Sequence, residues 1–239
     1  MKFTEGITVR EIADITGTEI IGDPDFLVTG INEIHMVEKG DITFVDHPKY
    51  YDKVLRSETS VVLINKKDEA PRGKTLLYCD DPFSAYVTLV KRFRPFIPAT
   101  AMISDTAEIG EGTVIQPGAF VGNHVKIGRN CLIHANVTIN DHCIVGDNVI
   151  INPNVVLGGD AFYFKRRPDH FDKMESCGRV VIGNNVEIGS GTTIDRGVSG
   201  DTVIGEGTKL DNLIQIGHDT VIGKNCLIAS QVGIAGVTV

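Results

Sequence analysis

From Ile103 onward an aliphatic residue returns at every sixth position. Ile103, Ile109, Ile115, Val121, Ile127, Ile133, Ile139, Val145, Ile151 and Leu157 form an unbroken series. Four residues after each stands a small or β-branched one: Ala107, Thr113, Ala119, Val125, Cys131, Val137, Cys143, Val149, Val155 and Ala161. Glycine often follows the aliphatic directly, as at Gly110, Gly122, Gly128, Gly146 and Gly158. The series resumes at Ile182, Ile188 and Ile194, slips by four residues, and continues through Ile204, Leu210, Ile216, Ile222, Ile228 and Ile234. A period of six matches neither the 3.6-residue helix nor the two-residue strand. It is the pattern of hexapeptide repeats, in which each hexapeptide supplies one short strand and one turn.

Three hexapeptides make one triangular coil, so residues 18 apart stack on neighbouring coils at the interstrand spacing of about 4.8 Å. The aliphatic fills the prism, the small residue fits a corner, and Gly or Asn tolerates positive φ at the turns. The fold class that follows is mainly β: a left-handed parallel β-helix of about six coils over residues 99–239. Cys131, Cys143 and Cys226 fall in the small inward slot and read as packing residues. The chain stops at Val239 inside a repeat, without a capping element, which predicts a C-terminally truncated chain.

Residues 1–98 lack the repeat and read as a small α/β domain. TVREIADITG predicts a short helix from about Thr8, and DITFVD, SVVLIN and TLLYCD predict strands. DPFSAYVTLVKRF predicts a helix from about Pro82 with an apolar face through Phe83, Tyr86, Val87 and Val90. Pro95 and Pro98 mark the linker to the prism.

Charge and composition exclude several function classes. With 23 Lys and Arg against 31 Asp and Glu, the formal charge is −8, the wrong sign for a sequence-independent nucleic-acid binder. No apolar run approaches the ~20 residues of a membrane span, and the N-terminus lacks the apolar core of a signal peptide. The expectation is a cytoplasmic protein. Five dispersed cysteines without a CxxC pair do not form a disulfide framework.

Two interruptions of the period point to function, because loops ejected from a rigid scaffold carry it. The first, at about 160–178, gathers aromatic residues with the basic run Lys165, Arg166 and Arg167. The second is the slip near Val198–Asp201. Among the seven histidines, His124 and His142 lie 18 apart and should stack, but no third residue falls in register to complete a metal site. His218 lies in LDNLIQIGHD, beside Asn212, Gln215 and Asp219, with Asp211 seven residues earlier. A histidine held by a carboxylate serves as a general base near neutral pH. Gly236, 18 residues on, places a backbone N–H one coil away for an oxyanion. Base, acid and oxyanion donor together suit acyl transfer.

The segments GDITFVDHPKYYDKV, GRVVIGNNVEIGSGTTIDRG and LDNLIQIGHD resemble those of the UDP-3-O-acylglucosamine N-acyltransferase family of lipid A biosynthesis in Gram-negative bacteria. The resemblance runs over essentially the whole chain. It implies transfer of a 3-hydroxyacyl chain from acyl carrier protein to the 2-amino group of UDP-3-O-acylglucosamine. No cofactor is implied, since the donor rides on the carrier's phosphopantetheine. By motif, His218 is then the base, Asp211 its partner and Gly236 the oxyanion donor. Phe44 and Tyr50 would sandwich the uracil, with His47 and Lys49 near the nucleotide. Asn212 and Gln215 would line the substrate site, and Lys165 and Arg166 would meet the sugar diphosphate or the acidic carrier. The family implies a homotrimer with sites between subunits. The chain departs from the family pattern at His47, usually Asn, and at Gly217 and Asp219, usually Ala and Asn. It departs also at GGDAFYFKRR, where the family reads like GADGFGY. These departures suggest a divergent branch. A different nucleotide-amino-sugar acceptor, a CoA donor, or a non-catalytic sugar-nucleotide scaffold are the alternative readings.

Overall fold

A computed structural model describes residues 1–239, which divide into two compact units, Met1–Phe96 and Ile97–Val239. The boundary lies two residues before the one expected from the prolines.

The first unit carries a six-stranded sheet with three helices. Its elements are β1 (Lys2–Thr8), α1 (Val9–Thr16), β2 (Glu19–Ile21), β3 (Leu27–Ile31), β4 (Asp41–Val45), α2 (Tyr51–Leu55), β5 (Val61–Ile64), β6 (Thr75–Tyr78) and α3 (Pro82–Phe93). The strand order is β1-β3-β4-β5-β6-β2. The four central strands are parallel and the two edges antiparallel. The parallel core explains why β5 reads Val-Val-Leu-Ile without alternation: all four side chains are fully buried. Helix α1 begins where Thr8 and Glu11 form a reciprocal capping box. Helix α3 begins where Asp81 accepts from the Ser84 N–H ahead of Pro82 at the first turn. Its buried side chains are Pro82, Phe83, Ala85, Tyr86, Leu89 and Val90. The expected Val87 is only half-buried at the margin. Leu89 replaces it, because the buried arc is centred between Phe83 and Leu89 rather than on Phe83. The strands β1, β2 and β3 carry too little period-two contrast to be foreseen.

The second unit is the expected parallel β-helix. Eighteen short strands form three walls of six. The first wall runs through Ile109, Ile127, Val145, Ile182, Ile204 and Ile222. The second runs through Ile115, Ile133, Ile151, Ile188, Leu210 and Ile228. The third runs through Val121, Ile139, Leu157, Ile194, Ile216 and Ile234. Ile133, Ile139, Ile151, Leu157, Ile188, Ile194 and Ile216 are fully excluded from solvent. Burying each such side chain contributes about 1.5–3 kcal/mol.

The corners explain the glycines and asparagines. Positive φ recurs at every sixth residue from Gly112 to Asn154, occupied by Gly, Asn and two histidines. Cys131 and Cys143 fill the corner slots as buried residues, whereas Cys226 is half-buried. Burial pushes the Cys143 thiol up to about 12, which keeps it inert. Both interruptions sit after the third wall. Leu157 pairs with Ile194, 37 residues on rather than 18, and Ile194 pairs with Ile216, 22 on. The extra residues leave at one corner and the walls stay in register.

Candidate active site

The corner after the third wall gathers the groups with chemical potential. His218 follows the strand Gln215–Ile216, and its Nδ1 lies 2.9 Å from Asp219 Oδ2. The Asp219 side chain is 1% exposed and that of His218 19%, so the pair is shielded from water. Asp219 occupies the left-handed corner position with φ 54°, a conformation short polar side chains tolerate. Its Oδ2 also accepts the Val198 N–H at 2.8 Å, and its own N–H donates to Thr202 Oγ1 at 2.8 Å. The four-residue slip therefore builds the carboxylate's seat.

Within one chain, His218 therefore pairs with Asp219 and not with Asp211. Asp211 lies at the corner after the second wall, one wall away, because six to seven residues advance the chain by one side of the prism. Its carboxylate accepts from Asn212 N at 2.8 Å, Asn212 Nδ2 at 3.1 Å and Ser230 N at 3.2 Å. Asn212 also accepts from Ser190 N at 2.7 Å. Within one chain, Asp211 and Asn212 thus form a corner separate from His218. Gln215 joins the His218 side instead, donating from Nε2 to Asp195 Oδ2 at 2.9 Å.

Gly236 stands one coil on, against the imidazole. A Cβ on Gly236 would lie 2.7 Å from His218 Nε2 and 2.9 Å from both Cδ2 and Cε1. Such near-equal distances place it over the ring face, so only glycine fits. On the preceding coil lie Asp195 and Arg196. Burial holds the Asp195 carboxyl above its ordinary value, against the opposing pull of Gln215 and His218. Arg196 donates from Nε to Gly158 O at 2.9 Å and lies 3.7 Å from Asp160.

The first excursion folds back over this corner as a two-stranded hairpin, Phe164–Arg166 against Phe171–Lys173. Its root is locked. Ala161, Met174 and Cys177 are buried, Met174 N donates to Tyr163 O, and Cys177 N donates to Val198 O. Tyr163 presents its ring parallel to His218, with centroids 6.4 Å apart and planes 15° apart. Lys165 lies across from Asp172 in the ladder, and Arg166 across from Phe171. Arg167 pairs with Asp172 at 2.5 Å and holds that carboxyl below its usual range. Asp219, Tyr163 and Asp195 lie around His218, and the sequence reading did not single them out for roles. The available signal was that both interruptions leave the prism at one corner.

In the first unit, Phe44 is half-buried against Tyr86 and Phe83, with centroids 4.9 and 5.9 Å apart. Tyr50 is half-exposed and packs with His47 at 5.9 Å, beneath Lys49 Nζ. His47 Nδ1 accepts the Lys49 N–H at 3.2 Å and caps the turn Pro48–Tyr50. Phe44 and Tyr50 thus have separate ring partners.

The family model described as UDP-3-O-(3-hydroxymyristoyl) glucosamine N-acyltransferase, LpxD, matches residues 25–92, and the bacterial transferase hexapeptide model matches 124–159 and 201–236. The UDP-3-O-acylglucosamine N-acyltransferase of Methylacidiphilum infernorum is 42% identical over 97% of this chain and 73% of its own length. That of Syntrophus aciditrophicus is 43% identical over 97% of this chain and 70% of its own. The chain belongs to the UDP-3-O-acylglucosamine N-acyltransferase family. It is an acyltransferase of lipid A biosynthesis. The crystal structure of a UDP-N-acetylglucosamine acyltransferase from Bacteroides fragilis aligns with a TM-score of 0.51 and 31% identity, covering 59% of this chain and 53% of that one. The prism of this UDP-3-O-acylglucosamine N-acyltransferase family member is accordingly of the left-handed class. No helix of it is long and apolar enough to cross a membrane.

Proposed function

We propose that His218 is the general base for N-acylation of UDP-3-O-acylglucosamine, with a 3-hydroxyacyl group delivered as a thioester of acyl carrier protein. The observation that carries this reading is the buried His218–Asp219 pair with Gly236 packed on the ring at Nε2. Asp219 accepts the Nδ1 proton and so fixes the tautomer whose Nε2 takes a proton. The acceptor's neutral amine attacks the thioester carbonyl, and Nε2 removes the ammonium proton that forms. The tetrahedral oxyanion is stabilised by the Gly236 N–H. Collapse forms the amide and expels the phosphopantetheine sulfur, which recovers the proton from the imidazolium. Gln215 and Asp195 offer hydrogen bonds to the acceptor sugar. Arg166 and Lys165 offer positive charge to its diphosphate or to the acidic carrier.

The N-terminal unit is read as the nucleotide grip, with Phe44 and Tyr50 as stacking rings and His47 and Lys49 beside the phosphates. A homotrimer acting in the cytoplasm completes the reading. The test is product mass: the full protein, UDP-3-O-acylglucosamine and 3-hydroxyacyl carrier protein should yield a gain of one acyl chain. His218→Ala, folded by circular dichroism, should yield none. A near-normal rate in that variant would remove His218 from the mechanism.

A further inference from the structure

The Tyr163 ring lies parallel to that of His218, and nothing in the transfer chemistry just described uses it. It comes from the excursion rooted two coils before His218, whereas Gly236 comes from the coil after it. The two therefore approach the imidazole from opposite ends of the coil stack. Tyr163 is not a mobile tip. Its N–H donates to Ala161 O and its carbonyl accepts from Met174 N, both 2.9 Å, beside a root in which Ala161, Met174 and Cys177 are buried. Lys173, on the partner strand across from Phe164, is tied to Asp160. At 6.4 Å between centroids the two rings lie within the range of aromatic pairs but too far apart for full face contact. The ring stands beside His218 as a wall.

Asp195, whose carboxylate lies within electrostatic reach of His218, and Gln215, which donates to that carboxylate, are hydrogen-bonding groups suited to a hydroxylated, charged acceptor. The Tyr163 face is apolar and suits methylenes. We propose that Tyr163 is a specificity residue: its ring sets the lateral room beside His218 for the first carbons of the acyl chain and excludes donors branched next to the thioester carbonyl. The inference rests on His218 being the general base.

The test compares two thioester donors, a linear 3-hydroxyacyl chain and the same chain with a methyl branch at C2. The protein and Tyr163→Phe should prefer the linear donor by about 10-fold or more in kcat/KM, the scale on which a pocket rejects one methyl group. Tyr163→Ala should reduce that preference to about 3-fold or less, chiefly by raising kcat/KM for the branched donor relative to the linear one. Tyr163→Leu, which keeps apolar bulk without a planar ring, repeats the measurement if the alanine variant does not fold. Three results overturn the proposal: an unchanged preference in the alanine or leucine variant, loss of preference in the phenylalanine variant, or equal slowing with both donors. His218→Ala run alongside separates the two ideas. An inactive His218→Ala enzyme with an unchanged Tyr163→Ala preference removes the wall alone, whereas an active His218→Ala enzyme removes the base.

Discussion

The corner after the third wall carries histidines in two settings, which differ in turn position and in surroundings. His124 and His142 occupy successive regular coils, both with positive φ, and their rings stack at 5.0 Å. There the repeat is unbroken, and each histidine serves as a turn residue. At His218 the same corner has been opened twice, by the hairpin and by the slip. The slip supplies the Val198 N–H to Asp219, and the hairpin supplies Tyr163. The imidazole chemistry proposed for His218 therefore depends on the irregular residues that the regular coils hold in place. A hexapeptide repeat alone makes stacking surfaces, and the interruptions make a site.

The largest test of that contrast is removal of each imidazole. His218→Ala should lower the transfer rate by about 10²–10⁴-fold, the usual contribution of a general base. His142→Ala should stay within about two-fold, as for a surface substitution. Steady-state kinetics on both variants, with melting temperatures matched, check this. Next comes Gly236→Ala, whose Cβ would strike the imidazole face. It should lower kcat by on the order of 100-fold, since a displacement of about 1 Å costs that much, with little change in melting temperature.

Asp219→Asn and Asp211→Asn sharpen the comparison between corners. Asp219→Asn should lower kcat about 10- to 100-fold by weakening control of the His218 tautomer. Asp211→Asn should have a smaller effect, confined to the local Asn212 and Ser230 hydrogen bonds. Equal losses in the two would return Asp211 to the base's side. The smallest effect concerns stability. The folded carboxyl of Asp195 titrates above its unfolded value because ionisation is penalised by burial. That cost is fully present near pH 7 and disappears as pH falls below the unfolded carboxylate value of about 4. Asp195→Asn should therefore raise the melting temperature at pH 7 and leave it nearly unchanged at pH 3.5, while transfer slows. Calorimetry at the two pH values decides it.

What the sequence made legible is what the repeat encodes. The aliphatic columns, corner slots and turn positions follow from counting, because every wall keeps the 18-residue rise except where residues leave the ladder. His218 and Gly236 were readable for the same reason, being one rise apart with no interruption between them. The carboxylate that meets His218 within the chain was not, since Asp211 and Asp219 both lie near it in sequence and only the side of the prism separates them. Tyr163 lay inside a non-periodic segment, where no spacing rule says which strand of a hairpin turns inward. In the first unit, β5 was readable from its unbroken apolar run, while the edge strands β1 and β2 depend on pairings no local pattern records.

Both interruptions leave the ladder at a single corner, and both add whole loops without shifting a column. The solenoid therefore works like a filing rack: material slotted in at that corner changes what faces His218 but never the shelf on which His218 and Gly236 sit. The hairpin accounts for 19 residues beyond the regular rise between Leu157 and Ile194. Excising 160–178 would restore a six-residue step from Leu157 to Ile182 and leave all three walls stacked. The wall opposite the imidazole is thus exchangeable as a unit, and new substrate preferences are open to the fold by loop replacement without renegotiating its core.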